Sequence, residues 1–227
     1  MPLQFRQTDQ CQDAALADAR VQRAIERMWR KGHFTTIATL LTSNRAIPDA
    51  VSAALAYSGL DATLDLYDVL HDLSQLMVKK PAWLAHEDDP NGALRGAVFE
   101  GFCRRWCAEV WRPRETMHWG CRAVLEEVEL FTRTVDVGYA SASVGFGEFK
   151  ISNVWLAKKE SFKFLQRLAD RLVEAGILID SVVVLSLSSA AMLRNEAVRQ
   201  RCNIVEILGI NQLRDIVDGK KVVGLKP

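Results

Sequence analysis

Val135-Asp-Val-Gly-Tyr-Ala140 and, three residues on, Val144-Gly-Phe-Gly-Glu-Phe-Lys150 form the stretch that decides how this chain is read. Residues 130–139 and 144–151 are rich in β-branched and aromatic side chains, and the small residues 140–143 between them suit a hairpin loop. Alternate side chains of a strand share a face, so Glu148 and Lys150 project together while Phe149 and Ile151 project to the other side. On the preceding strand Val135, Val137 and Tyr139 take one face and leave Asp136 on the opposite one. Pairing of the strands then brings Asp136 beside Glu148, and two carboxylates converge on one lysine. Gly145 and Gly147 are placed to ease a bend or bulge before the charged end of the second strand.

Toward the C-terminus, Phe162, Leu165, Leu168 and Leu172 predict a helix over 158–175, with Gly176 as its stop. The nearly continuous apolar run 182–187 predicts a strand covered on both faces. Ser188 or Ser189 can cap a helix to about Arg201, 203–208 supplies a further strand, and 212–217 a last helical turn. Toward the N-terminus, residues 93–111 read as an amphipathic helix with Phe99, Phe102, Trp106 and Val110 in one stripe and Glu100 on its rim. A second helical run, 115–127, follows Pro113. The turn formers of 86–92 mark a domain boundary. Before it, 13–80 is helical in texture, with Val21, Ile25 and Met28 spaced three and four apart, Pro48 at a helix start and Gly59 at a stop. The expectation is an α/β protein in two parts: an all-helical region over 1–88, and a mixed sheet flanked by helices over 89–227.

Composition bounds the function. With 49% apolar and 25% charged residues the chain reads as a soluble globular protein, and no run approaches the roughly 18 apolar residues of a spanning helix. The N-terminus shows no apolar run behind a basic start, so a cytoplasmic protein is expected, with no membrane partner. Five cysteines without a regular framework fit free thiols in a reducing compartment. A net charge of +1 argues against a tight, nonspecific DNA binder, so cations that hold phosphate must be gathered locally. Candidates are Arg104-Arg105 with Arg112 and Arg114, and Lys158-Lys159 with Lys163 and Arg167. Trp106, Trp111 and Trp155 are available for stacking on bases.

Hard carboxylate oxygens such as those of Asp136 and Glu148 suit Mg²⁺ or Mn²⁺, and a lysine beside them can orient water or offset charge on a phosphate. Glu100 can complete the metal shell directly or through water. Asp136, eleven intervening residues, then Glu148-Phe149-Lys150 resembles the PD-(D/E)XK nuclease signature. Gly96-Ala-Val-Phe-Glu100 is similar to the Gly-x-x-Phe-Glu of the first helix in Mrr-type restriction enzymes. The resemblance covers about 92–217 and includes the closing order of strand, helix, strand and small helix. It departs at Val135, which stands in place of the motif's proline, a change that many members also tolerate. Gln166 stands where such enzymes place a glutamine on the helix after the lysine.

The resemblance implies a restriction-endonuclease-like core and metal-dependent hydrolysis of phosphodiester bonds. By the same resemblance the substrate would be nucleic acid, DNA ahead of RNA, in defence against foreign DNA or the handling of mobile elements. Asp136, Glu148 and Glu100 would ligate metal, and Lys150 would assist the water. Lys158, Lys159, Lys163, Gln166, Arg104 and Arg105 would face nucleic acid. The helical region would serve a homodimer or a partner protein. The rival reading is a catalytically inactive module that keeps the fold to bind nucleic acid or protein. Cys103, Cys107, His118 and Cys121 fall within reach of one another as zinc ligands but lack knuckle spacing, and the cysteines continue an apolar helix face, which favours core packing.

Overall fold

The computed structural model describes residues 3–8, 13–57, 64–222 and 224, so Cys11 and the expected helix stop at Gly59 lie outside the described residues. The chain forms two compact units. One takes in Gln12–Arg104 with Arg214–Lys221; the other takes in Met1–Cys11, Arg105–Leu213 and Val222–Pro227.

In the described part of the first unit seven helices follow one another: α1 Asp13–Leu16, α2 Ala19–Met28, α3 Phe34–Thr42, α4 Ile47–Tyr57, α5 Leu64–Lys79, α6 Ala82–Ala85 and α7 Pro90–Trp106, the last two residues of α7 belonging to the other unit. Asp18 starts α2 by accepting the Arg20 N–H at 2.9 Å, a cap that satisfies one of the orphan donors of a helix start. Val21, Ala24, Ile25 and Met28 then fall on one buried stripe. Trp29 stacks on Phe102 of α7 at 4.9 Å, Phe34 of α3 lies 5.6 Å from the same ring, and Arg23 ties α2 to Asp72 of α5 at 2.6 Å.

The second unit is α/β. Its strands are β1 Leu3–Gln7, β2 His118–Leu125, β3 Val128–Glu129, β4 Val135–Ala140, β5 Val144–Lys150, β6 Ile179–Ser186 and β7 Val205–Leu208. They build one mixed sheet of order β1-β2-β4-β5-β6-β7, with β3 added on β2. Pairing is antiparallel from β1 to β5 and parallel across β5, β6 and β7. The flanking helices are α8 Asn153–Lys158, α9 Ser161–Glu174 and α10 Ala190–Arg199; α11 Ile210–Val217 follows, its residues from Arg214 on belonging to the first unit. Phe162, Leu165, Leu168 and Leu172 of α9 are buried in a core with Phe146, Val182, Val184, Leu193 and Ile207. The order after Lys150, helices then strand, helix, strand and helix, follows the expected one.

Four features differ from the expectation. The region before 88 is not all helical, because β1 pairs with β2 over the whole of Leu3–Gln7; Leu3 and Phe5 alternate with Gln4 and Arg6 for too few residues to signal a strand without its distant partner. The sheet unit accordingly gathers β1 and resumes at Arg105 rather than at 89. Residues 115–127 are not a helix but β2 and a turn, since Glu126 and Glu127 adopt φ +50° and +67° and lead directly into β3. Such a two-residue turn ordinarily announces itself as Asn-Gly, and Glu-Glu carries no such signal. Finally, the helix expected over 158–175 begins only at Ser161, because Lys158 ends a separate helix and Glu160, at φ +46°, interrupts the helical backbone, and the helix expected to 111 closes in a π-helical turn over Cys107–Trp111. Among the described residues no helix is long and apolar enough to cross a membrane.

Candidate active site

The antiparallel register places Val137 opposite Gly147, which sets Asp136 across from Glu148 on the β4–β5 hairpin. Two glycines make the hairpin possible. A Cβ at 145 would lie 2.3 Å from the Tyr139 ring, and one at 147 would lie 2.6 Å from the Val183 carbonyl oxygen of β6. The pairing with β6 also shifts register between Val144 and Gly145, the irregularity expected there.

Lys150 Nζ lies 2.5 Å from Asp136 Oδ2 and 3.1 Å from Glu148 Oε2, so one ammonium bridges carboxylates on neighbouring strands. The Phe149 N–H also donates to Asp136 Oδ2 at 2.6 Å. Asp136, Glu148 and Lys150 line an open cleft of about 330 Å³ together with Arg133, Thr134 and Lys159. Glu148 is 2% exposed. Burial raises its pKa, the Lys150 ammonium draws it back, and the Asp136 charge adds to the rise. Burial alone would lower the pKa of Lys150, but Asp136 and then Glu148 outweigh it and hold the ammonium above its ordinary range.

Sequence reasoning missed Arg133 and Ser161. Arg133 Nη2 reaches Glu148 Oε1 at 3.3 Å and Ser161 Oγ at 2.7 Å, Nη1 donates to the Lys159 carbonyl at 2.5 Å, and the guanidinium lies 4.3 Å over the Phe164 ring. A strand running from 130 would have turned Arg133 to the face opposite Asp136. The strand begins only at Val135, and bends at 132 and 133 swing the arginine into the cleft. Ser161 Oγ also stands 3.5 Å from Glu148 Oε2; its signal is its place at the start of the helix behind the charged strand.

The remaining expected residues fall elsewhere. Glu100 belongs to the helical unit, where its carboxylate takes Arg104 Nη2 at 2.7 Å, while Arg104 Nη1 reaches Asp13 at 3.1 Å. Arg105 pairs with Glu109 at 2.8 Å. Gln166 donates to Asp170 at 2.9 Å and accepts the Asn203 N–H at 3.1 Å. It lines a second cleft on the outer helices with Lys158 and Lys163, whereas Lys159 lines the first.

Trp106 and Trp111 are buried and stack at 5.8 Å, which leaves Trp155, half exposed with Lys158 over its ring, as the one of the three open for stacking. Cys103, Cys107 and Cys121 are fully buried, as core packing requires; burial pushes the Cys121 thiol up to about 12. Among the described residues no group of three or more His, Cys, Asp and Glu side chains is placed to hold a metal ion. No family model and no curated protein matches this chain.

Proposed function

We propose that the sheet unit is a PD-(D/E)XK-type core and that the Asp136–Glu148–Lys150 cleft hydrolyses phosphodiester bonds in nucleic acid, DNA ahead of RNA, with Mg²⁺ or Mn²⁺. The observation that carries this reading is the single ammonium shared between carboxylates of two adjacent strands at the wall of an open cleft. Burying a carboxylate as deeply as Glu148 is costly unless charge partners compensate it, so an acid there is poorly explained by sheet stability alone. Perturbed acids in clefts are candidates for chemistry.

The donor set fits the ion. Mg²⁺ is commonly held by one or two carboxylates and otherwise keeps water or takes phosphate oxygens, which Asp136 and Glu148 satisfy without a third protein ligand. The hydrogen bonds of Asp136, from the Phe149 N–H and from Lys150 Nζ, both fall on Oδ2. When bound, a divalent ion lowers the pKa of a coordinated water and polarises the phosphodiester. The chain supplies the rest. Lys150, held by two carboxylates, is positioned to orient a water or to meet negative charge developing on the phosphate. Arg133, fixed by Ser161 and the Lys159 carbonyl, is a second cation in the same cleft.

The rival, a catalytically inactive nuclease-fold module, draws on a specific observation: Lys150 and Arg133 already neutralise both carboxylates without an ion. Calorimetry separates the two. Mn²⁺ titrated into the wild type should bind, and Glu148→Ala should abolish the heat. With Mn²⁺ or Mg²⁺ present, plasmid, single-stranded DNA and RNA should show cleavage by the wild type and none by Lys150→Ala. Absence of metal binding by the wild type refutes the enzyme reading.

A further inference from the structure

A cleft of about 840 Å³ lies among α8, α9 and α10, and Lys158, Lys163, Arg167, Arg199 and Arg201 line it against one carboxylate, Glu160. In a chain whose net charge is only +1, that is a local concentration of cations. Lys163 is answered by Glu160 at 3.1 Å and Arg199 by Glu196 at 2.7 Å. Lys158 and Arg167 face aromatic rings, Trp155 at 5.1 Å and Phe131 at 5.4 Å, and Arg201 meets no carboxylate among the described residues.

The walls are tied in place by two glutamines. Gln200 accepts the Lys163 N–H at 3.1 Å and donates to the Leu156 carbonyl at 3.3 Å, which joins α10 to α8 and α9. Gln166 holds the Asn203 N–H.

Arg201 is the telling residue. Helices α9, α10 and α11 end in the same way, with a backbone N–H returning to the carbonyl five residues earlier: Ile177 to Leu172, Cys202 to Ala197 and Lys220 to Asp215. That motif needs a left-handed residue just before the returning N–H, for which glycine is the ordinary choice. α9 uses Gly176 at φ +74° and α11 uses Gly219 at φ +76°, but α10 uses Arg201 at φ +57°. The arginine costs about 1 kcal/mol relative to glycine in that conformation. Glu160, which also lines the cleft, is left-handed as well. A backbone that keeps a charged side chain where glycine would relax it is better explained by what the side chain does.

We infer that this basic cleft is a second, sequence-independent binding site for the phosphodiester backbone of nucleic acid, continuous with the carboxylate cleft through Lys158, Lys159 and Glu160. The choice of nucleic acid over other polyanions rests on the nuclease reading of the neighbouring cleft. Lys159 lines one cleft while its two chain neighbours line the other, so a strand leaving the carboxylates meets these cations next.

The test is anisotropy of a fluorescent DNA duplex and of its single strand with the full chain in EDTA, over about 50 to 200 mM salt. Each of Lys163→Gln, Arg167→Gln and Arg201→Gly should lower the log–log salt slope by about 0.9 for the duplex. The triple variant should lose on the order of tenfold or more in affinity at the low-salt end. Arg201→Gly should lose affinity while its Tm is unchanged or higher, because glycine suits the backbone there. The inference is overturned if the wild type binds no DNA, if the triple variant binds with the wild-type slope, or if Arg201→Gly weakens binding only in step with a lowered Tm. Binding to anionic vesicles with none to DNA would overturn it as well. Mn²⁺ calorimetry on the same proteins reports separately on the carboxylates, so DNA binding without metal binding would sink the nuclease reading and leave this one standing.

Discussion

Glu148 spends its charge inside the protein, and three neighbours decide whether it can. Lys150 and Arg133 attract it and Asp136 opposes it. Removing a partner from a buried pair typically costs about 3–5 kcal/mol because a charge is left behind. Lys150→Ala should therefore lower stability in urea by about 3 kcal/mol; a loss under about 1 kcal/mol would mean that water already screens the site. The pH dependence has a definite sign. The folded pKa of Glu148 is raised from 4.5, so the folded state holds its proton longer than the unfolded chain does. Stability from this group is then full below about 4.5 and falls as pH climbs toward the folded value. Across that window the metal-free wild type should lose Tm relative to Glu148→Gln, and parallel Tm curves would contradict the assignment. The three charged residues were legible because strand alternation is local. Arg133 was not, because its place depends on where the strand begins, a matter of two bends.

At the scale of elements, the hairpin of β4 and β5, the buried strand β6 and the α9 stop at Gly176 follow from alternation, apolar runs and a terminal glycine. The β2–β3 turn does not. Glu126 and Glu127 both hold left-handed backbone with no asparagine or glycine in the turn, and Glu127 makes an exposed pair with Arg6 at 2.9 Å. Local sequence reads as helix there, and pairing of β2 with both β1 and β4 overrides it. Replacing the pair by Asn-Gly should raise stability by about 1 kcal/mol or more, seen as a higher Tm. A fall in Tm would mean that the Arg6 pair outweighs the backbone relief. The cap of α2 gives a second measure. Asp18 is held below its ordinary 3.8, chiefly by the Arg20 side chain, so its contribution is present above that value and lost as pH falls through the folded one. Asp18→Ala should cost about 1 kcal/mol at neutral pH and progressively less in acid.

At the scale of the whole molecule, the sheet unit is assembled from three separated parts of the chain, Met1–Cys11, Arg105–Leu213 and Val222–Pro227. β1 is contributed by the first residues, and the helical unit is threaded between it and Arg105. No local pattern announces this, since Phe5, 3% exposed, is buried on a strand whose partner β2 lies more than a hundred residues away. Truncating that ring should be as costly as a central core change: Phe5→Ala is expected to lose about 3–5 kcal/mol in denaturant unfolding. An effect under about 1 kcal/mol would show that β1 merely rests on the edge.

The same strand governs how the protein can be divided. A fragment cut at 89, where the composition suggests a boundary, keeps Asp136, Glu148 and Lys150 but leaves the amide ladder of β2 open beside Cys121, Ala123 and Val124. An open, apolar edge is a template for other chains. The fragment should therefore self-associate, and a synthetic peptide of the first eight residues added in trans should return it toward a monomer.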